Sequence, residues 1–440
     1  MKSNRVVAYL AVLFLPSLGL YLAIGRLSDL TVDAVTFVWL YAALFALYAL
    51  AVVPVLRTRG TSRGLLVIII GAAIVFRLVA VFSPPFLSND VYRYAWEGRV
   101  QKAGLAPYQY APNDKALAKL RAEGGYLEIR NAKKGRSVYP PVAQTFFYAA
   151  AFAGKYNVTT IKALLAILDI ATIFLLLGLT RRLKRADSLI ILYAWSPLAV
   201  LEISGTGHID GLAVFFITAA AYLALSKRSF LAGGLAGLAS AAKIYPIIVL
   251  PAFTNRRDWR PLTGAALFGT AAYLPFIISG GLFFPIGTEA ATAGPKFNAG
   301  LKTVVEWICG GPGPGVDTAY MLLTLAVLAA ACGYFWLKQK ERQDMIRAAY
   351  ILLGMLIVFL PFTVPWYLVL ILPFAALEAA PAFFYLSGTV MMSYLFYAYQ
   401  PWSLPDWVRM VEFVPFAVLI GWEILTRDRV ARRLEEPTFS

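Results

Sequence analysis

The chain has 440 residues, 60% of them hydrophobic, with 40 Lys and Arg against 24 Asp and Glu for a formal charge of +16. That apolar share exceeds the ~45–50% of ordinary soluble domains and excludes a water-soluble globular enzyme. The charges cluster between apolar runs of bilayer-spanning length, so the basic excess reads as the positive-inside bias of a multi-pass membrane protein, and no nucleic acid is expected as a partner.

The first run, Val6 to Ile24, is longer than the apolar core of a signal peptide and has no small-x-small cleavage site, which predicts a retained helix. Cys309 and Cys332 make no paired motif. Six basic clusters follow: Arg57/Arg59/Arg63, Arg181/Arg182/Lys184/Arg185, Lys227/Arg228, Arg256/Arg257/Arg260, Lys338/Lys340/Arg342/Arg347 and Arg427/Arg429/Arg432/Arg433. All are expected in the cytoplasm with Lys2 and Arg5, and successive clusters must then be separated by an even number of crossings.

That condition decides two stretches. A helix from Leu65 to Phe82 leaves the cytoplasm and Val158 to Thr180 returns, so residues 83–157 lie outside and the run Tyr139 to Ala153 rests along the outer interface. Phe230 to Phe253 has the cytoplasm at both ends, which predicts a re-entrant hairpin broken at Lys243 and Pro246. The runs 33–56, 188–204, 211–226, 261–279, 317–337, 346–363, 365–378, 382–398 and 408–425 cross alternately, 365–378 being short for a span. The expectation is an all-α fold, one integral-membrane domain over 1–440 with twelve spans plus the hairpin, a large extracytoplasmic loop at 83–157 and a second at 280–316. The second loop is rich in Gly and Pro, as a lid or an irregular linker would be. No internal repeat is visible, which disfavours a secondary transporter.

The first loop carries eleven Lys and Arg against five acids, an excess that topology does not require. An anionic ligand is one reason for it, and a solvated face near anionic headgroups is the other. Within it stands Ser88-Asn89-Asp90-Val91-Tyr92-Arg93-Tyr94-Ala95-Trp96-Glu97-Gly98-Arg99, then Gly104-Leu105-Ala106-Pro107-Tyr108. This string resembles the first outer-loop motif of the GT-C glycosyltransferases, nearest to family 87-like and mycobacterial-type mannosyltransferases that use polyprenyl-phosphate-mannose. Tyr139-Pro140-Pro141, Tyr193-Ala194-Trp195-Ser196-Pro197, Gly207-His208-Ile209-Asp210, Lys243-Ile244-Tyr245-Pro246 and Pro365-Trp366-Tyr367 agree in order over roughly residues 85–375.

The resemblance implies transfer of a sugar, mannose first, from a polyprenyl-phosphate carrier to a glycan or glycolipid hydroxyl on the non-cytoplasmic side of a prokaryotic plasma membrane, usually with inversion. It departs at Val364, where many of the resembling proteins have a histidine before Pro-Trp-Tyr, so no role for that imidazole carries over. A polyprenyl-linked transporter or flippase with the same cationic cavity is the rival from another class.

The residues can be weighed on their own chemistry. An acceptor hydroxyl needs a base, and Asp90 is the candidate; it could equally N-cap the helix starting at Val91, or do both. Arg93 and Arg99 are candidates for donor phosphate, although Arg93 and Glu97 four apart also read as an ion pair. Tyr92 and Trp96 read as interfacial anchors. Lys243 is costly in hydrocarbon, so it faces lipid phosphate or pairs with Asp169 or Glu202. Arg77 poses the same question or snorkels, and Lys162 and Asp169 read as polarity meeting a neighbouring helix. His208, Asp210, Glu202, Tyr94 and Tyr139 are the acceptor-side candidates, with Asp210 as an N-cap the alternative. One histidine and no Asp-x-Asp pair predict a monophosphate donor and no metal or other cofactor. Asn157-Val158-Thr159 matches a glycosylation sequon and is discounted.

Overall fold

The computed structural model describes residues 3–58, 60–127, 129, 135–154, 158–279, 297–338, 343–399 and 402–435. These residues form helices and no strands. The sequon at Asn157, the cations Arg130, Lys133, Lys134 and Lys155, and the first part of the second loop lie outside them.

Helices α1 (Ser3–Ile24), α2 (Leu30–Leu56) and α3 (Arg63–Phe82) are long apolar runs opened by short polar turns. Asp29 accepts from the Thr31 N–H at 2.9 Å and Ser62 from the Leu65 N–H at 3.2 Å, satisfying donors that a helix start leaves open. The following loop folds into α4 (Asp90–Lys102), α5 (Ala118–Ala122) and α6 (Pro141–Ala150) before α7 (Val158–Arg182). At ten residues α6 is ~15 Å long, half a bilayer core, so it does not span. It lies across α4 at Gly98, where an added Cβ would stand 2.2 Å from the Phe147 carbonyl oxygen. Trp96 does not anchor the interface as expected; it is buried with Val100, Leu117 and Ile129 in a small second core against which Leu105, Tyr110, Leu120 and Tyr126 pack.

The run 188–204 is broken rather than continuous. A 3₁₀ turn Asp187–Ile190 and α8 (Ile191–Ala194) precede a break at Trp195 and Ser196, followed by α9 (Pro197–Ala199) and a π-helical turn Val200–Gly205, with a bend of 50°. Pro197 supplies the cause, having no N–H to continue the ladder. The Arg77 guanidinium takes the Ala194 carbonyl freed there, at 2.8 Å.

Next come α10 (Asp210–Leu225), α11 (Ser229–Ala242), a 3₁₀ turn Tyr245–Val249, α12 (Leu250–Phe253) and α13 (Arg260–Ile278). Glycines let α11 and α13 touch backbone to backbone: a Cβ on Gly233 would stand 1.9 Å from the Pro261 carbonyl and one on Gly237 2.6 Å from that of Ala265. Both contacts advance in the same direction along the two helices, so α11 and α13 run parallel. The chain must therefore turn back between them, which is the re-entrant geometry, with the reversal beginning at Lys243.

The remainder is α14 (Leu301–Ile308), α15 (Pro314–Lys338), α16 (Gln343–Phe359), a 3₁₀ turn Pro365–Leu370, α17 (Leu372–Glu378), α18 (Pro381–Thr389), a 3₁₀ turn Val390–Tyr397 and α19 (Asp406–Glu435). Six described helices are long and apolar enough to cross a membrane, seven if the bent pair counts as one span. Twelve uninterrupted spans are not seen; 365–378 and 382–398 are each divided between a 3₁₀ turn and a short helix, with Pro365, Pro373 and Pro381 opening the pieces.

The helices also sort charge by end. Arg63 opens α3, Arg181 and Arg182 close α7, Lys227 and Arg228 join α10 to α11, and Arg260 opens α13. The opposite ends of these helices carry Ser83, Asp210 and Lys243.

Candidate active site

Two aspartates begin two helices, and neither is spent on capping. Asp90 is the first residue of α4 behind Asn89, which itself makes no capping bond, and the Asp90 carboxylate has no hydrogen-bond partner among the described residues. The positive end of the helix stabilises negative charge at this position. Asp90 is half-buried and close enough to act electrostatically on Tyr94, Tyr139, Lys243, Tyr367, Tyr394 and Tyr397.

Asp210, the first residue of α10, is fully buried and binds the Lys243 ammonium at 3.0 Å and the Tyr245 hydroxyl. Lys243 thus has an acidic partner, but the partner is Asp210 rather than Asp169 or Glu202. The ammonium lies 5.7 Å from the ring centroid of Tyr245 and 5.6 Å from that of Tyr367, with 17% of the side chain exposed. Lys243 ends α11 in extended backbone, so the helix break turns its side chain toward the start of α10.

A second buried group adjoins the first. His208 Nδ1 meets Glu202 at 2.8 Å, and the other Glu202 oxygen accepts from Tyr394 at 2.9 Å. The imidazole stacks on Trp366 at 4.3 Å, which joins the Gly-His-Ile-Asp and Pro-Trp-Tyr strings. His208 is 1% exposed, and its Nε2 has no partner among the described residues. Glu202 reaches this place from the π-helical turn, an irregularity that often marks functional positions.

Tyr94 and Tyr139 line the Asp90 side. Tyr94 stacks on Phe147 at 4.6 Å and meets Tyr139 edge-on at 4.9 Å. Burial pushes both phenols up, keeping them protonated. Arg93 and Arg99, expected at the donor phosphate, are both engaged by protein oxygens. Arg93 pairs with Glu97 and donates to the Gly135 carbonyl at 3.0 Å, while Glu97 accepts from Gln144 at 2.9 Å. Arg99 donates to the Gly124 and Leu120 carbonyls. Buried guanidinium groups already satisfied by protein oxygens hold the loop together.

Arg77 does not snorkel. It pairs with Asp169 at 2.8 Å with both side chains fully buried, and Tyr193 donates to the other Asp169 oxygen at 2.5 Å. Lys162 donates to the Ser83 carbonyl. Sequence reasoning missed Tyr245, Trp366, Tyr367 and Tyr394. The first three lie in strings already singled out, while Tyr394 carried no signal. Among the described residues no three His, Cys, Asp or Glu side chains converge as a metal site. A cleft of about 420 Å³ between α1 and α3, lined by Leu22, Arg26, Leu78 and Phe82, holds no carboxylate and is not the site.

A helical membrane protein in which an unpartnered carboxylate acts electrostatically on a buried carboxylate–lysine pair has groups suited to polar group transfer. Residues 138–363, just over half of the chain, match the family model described as Glycosyltransferase family 87. The chain belongs to that family and is a membrane glycosyltransferase. The match includes Tyr139, Glu202, His208, Asp210 and Lys243, and leaves Asp90 and Pro365-Trp366-Tyr367 outside it. No curated protein and no solved structure matches the chain.

Proposed function

We propose that the protein moves a sugar, mannose first among the candidates, from a polyprenyl phosphate to a hydroxyl of a glycan or glycolipid on the extracytoplasmic side of the membrane, with inversion. Asp90 takes the acceptor proton as its oxygen attacks the anomeric carbon, and the electron pair of the broken C–O bond leaves with the lipid phosphate. Lys243, oriented by Asp210 and Tyr245, meets the charge that develops on that phosphate, with no divalent ion assigned a role. His208 and Glu202, with Tyr94 and Tyr139, line the acceptor side.

The observation that carries this reading is the unpartnered Asp90 carboxylate at a helix start, within electrostatic reach of a partly exposed Lys243. Sidedness rests on the opposite placement of the arginine-rich turns, which the positive-inside rule assigns to the cytoplasm.

The test is purified protein in lipid with a panel of polyprenyl-phosphate sugars and glycolipid acceptors, following product mass. Transfer from polyprenyl-phosphate-mannose, unaffected by chelators, is expected. Activity confined to nucleotide-sugar donors would overturn the donor assignment. Continued movement of a lipid substrate by Asp90→Asn, with no transfer by the parent protein, would favour a flippase.

A further inference from the structure

The cleft between α1 and α3 stands apart from the sugar-transfer site, and it has apolar walls with a cation at its edge. The two helices run parallel and are joined at both ends. The Ser3 and Ser62 hydroxyls meet where they begin, and a Cβ on Gly25 would collide with the Ser83 hydroxyl where they finish. Gly25 and Arg26 prolong the last turn of α1, through bonds from their N–H groups to the Tyr21 and Ala23 carbonyls. Leu22, Gly25 and Arg26 therefore share one face, as Leu78, Val79 and Phe82 do on α3. Between these faces lies about 420 Å³ of open space, within the ~300–1,000 Å³ of ligand pockets. Its walls look outward: Leu22, Leu78 and Phe82 are 50%, 50% and 77% exposed.

Arg26 is exposed at the point where the apolar helix gives way to a polar turn. Its guanidinium makes no hydrogen bond or ion pair with another described residue. Other cations are engaged: Lys102 donates to the Ala151 carbonyl, Lys162 to the Ser83 carbonyl, and Lys302 pairs with Asp317. The acids nearest to Arg26 along the chain turn to backbone instead, Asp29 to the Thr31 N–H and Asp33 to the Ser28 N–H. Large apolar side chains beside an unpaired cation match the two halves of a phospholipid, an acyl chain and a phosphate. A soluble anion would leave those walls unused. A zwitterionic headgroup would bring an ammonium to a place whose neighbouring acids are committed to the chain.

We propose that this cleft binds one anionic phospholipid, with the headgroup phosphate at Arg26 and an acyl chain along Leu22, Leu78 and Phe82. The lipid is a resident of the fold and not a substrate, filling space that the packing of α1 on α3 leaves open. The inference goes beyond the transfer reading and holds whichever donor the enzyme uses.

The experiment places the full chain in vesicles of phosphatidylglycerol and phosphatidylcholine in equal amounts, with a photoactivatable acyl chain on one lipid or the other. Cross-linked peptides containing Leu22, Leu78 or Phe82 are then quantified by mass. Phosphatidylglycerol is expected to label them about fivefold more than phosphatidylcholine. Arg26→Gln should bring that ratio close to one, and Arg26→Lys, which keeps the charge, should preserve most of it. Val12 and Leu15, exposed midway along α1, serve as the internal control and should show no preference. Equal labelling of the cleft by both lipids, or a preference that survives Arg26→Gln, would overturn the site. The same preference at Val12 and Leu15 would also overturn it, by tracing the enrichment to general attraction of anionic lipid to the basic turns. Loss of the preference in Arg26→Lys as well as in Arg26→Gln would overturn the assignment of the phosphate to the Arg26 charge.

Discussion

Two of the buried carboxylate–cation pairs among the described residues, Arg77–Asp169 and Lys243–Asp210, have different surroundings. Around Asp169 every carboxylate oxygen is used, by Arg77 and Tyr193, and Arg77 also binds the Ala73 and Ala194 carbonyls. Both side chains of that pair are fully shut from solvent. Around Asp210 the acid is equally buried, but Lys243 is partly exposed and shares its surroundings with the unpartnered Asp90. The first group repairs a broken helix. The second keeps bonding capacity for something the protein does not contain. Burial of charge alone therefore does not mark an active site, and neither does an unused donor, since among the described residues Arg77 Nη2 is also unpartnered; what distinguishes the second group is a partly exposed cation beside an unpartnered carboxylate.

Substitutions can break that contrast, and Asp90→Asn should have the largest effect. Sugar transfer is expected to fall by about 10²–10⁴-fold, while thermal unfolding in detergent changes by no more than about 0.5 kcal/mol because no protein partner is lost. A stability loss as large as the loss of activity would make Asp90 a structural residue. Arg77→Met should cost about 3–5 kcal/mol by leaving Asp169 charged and unpaired. Its readout is a smaller folded fraction whose activity per folded molecule is unchanged, and Arg77→Met with Asp169→Leu should recover much of the stability.

Lys243→Met should behave unlike Arg77→Met, raising donor KM by about 10–100-fold with kcat falling less, and Lys243→Arg should restore part of the loss. An unchanged donor KM would remove Lys243 from the phosphate. The smallest effect is expected from Gly98→Ala, which presses a methyl group into the Phe147 carbonyl and should cost about 1–3 kcal/mol. Because α4 carries Asp90, transfer should decline with it, as a titration of activity against unfolding temperature would reveal.

Local composition made much of the molecule legible. Apolar runs marked α1, α2, α3, α7, α13 and α15, and the basic clusters forced both the reversal at Lys243 and the short α6. What failed did so for nonlocal reasons. The split of 188–204 shows in Pro197, but the bond from Arg77 that makes the break tolerable comes from a distant helix. Arg93 and Arg99 looked available for phosphate because their carbonyl partners lie far along the chain, Leu120 in the five-residue α5 and Gly124 and Gly135 in bends that no periodicity announces.

The amino-acid order by itself determined that this chain lives in a membrane, where it must reverse, and which short strings carry its polar residues, because hydropathy and charge act through the residues present and their spacing. Which acid meets which base was decided only by the tertiary structure. Asp169 and Glu202 were the partners the sequence offered Lys243, and the packing of α11 beside α10 brought Asp210 to 3.0 Å instead. Coulomb and hydrogen-bond energies fall off over a few ångströms, and distances between residues far apart in sequence exist only once the helices are packed.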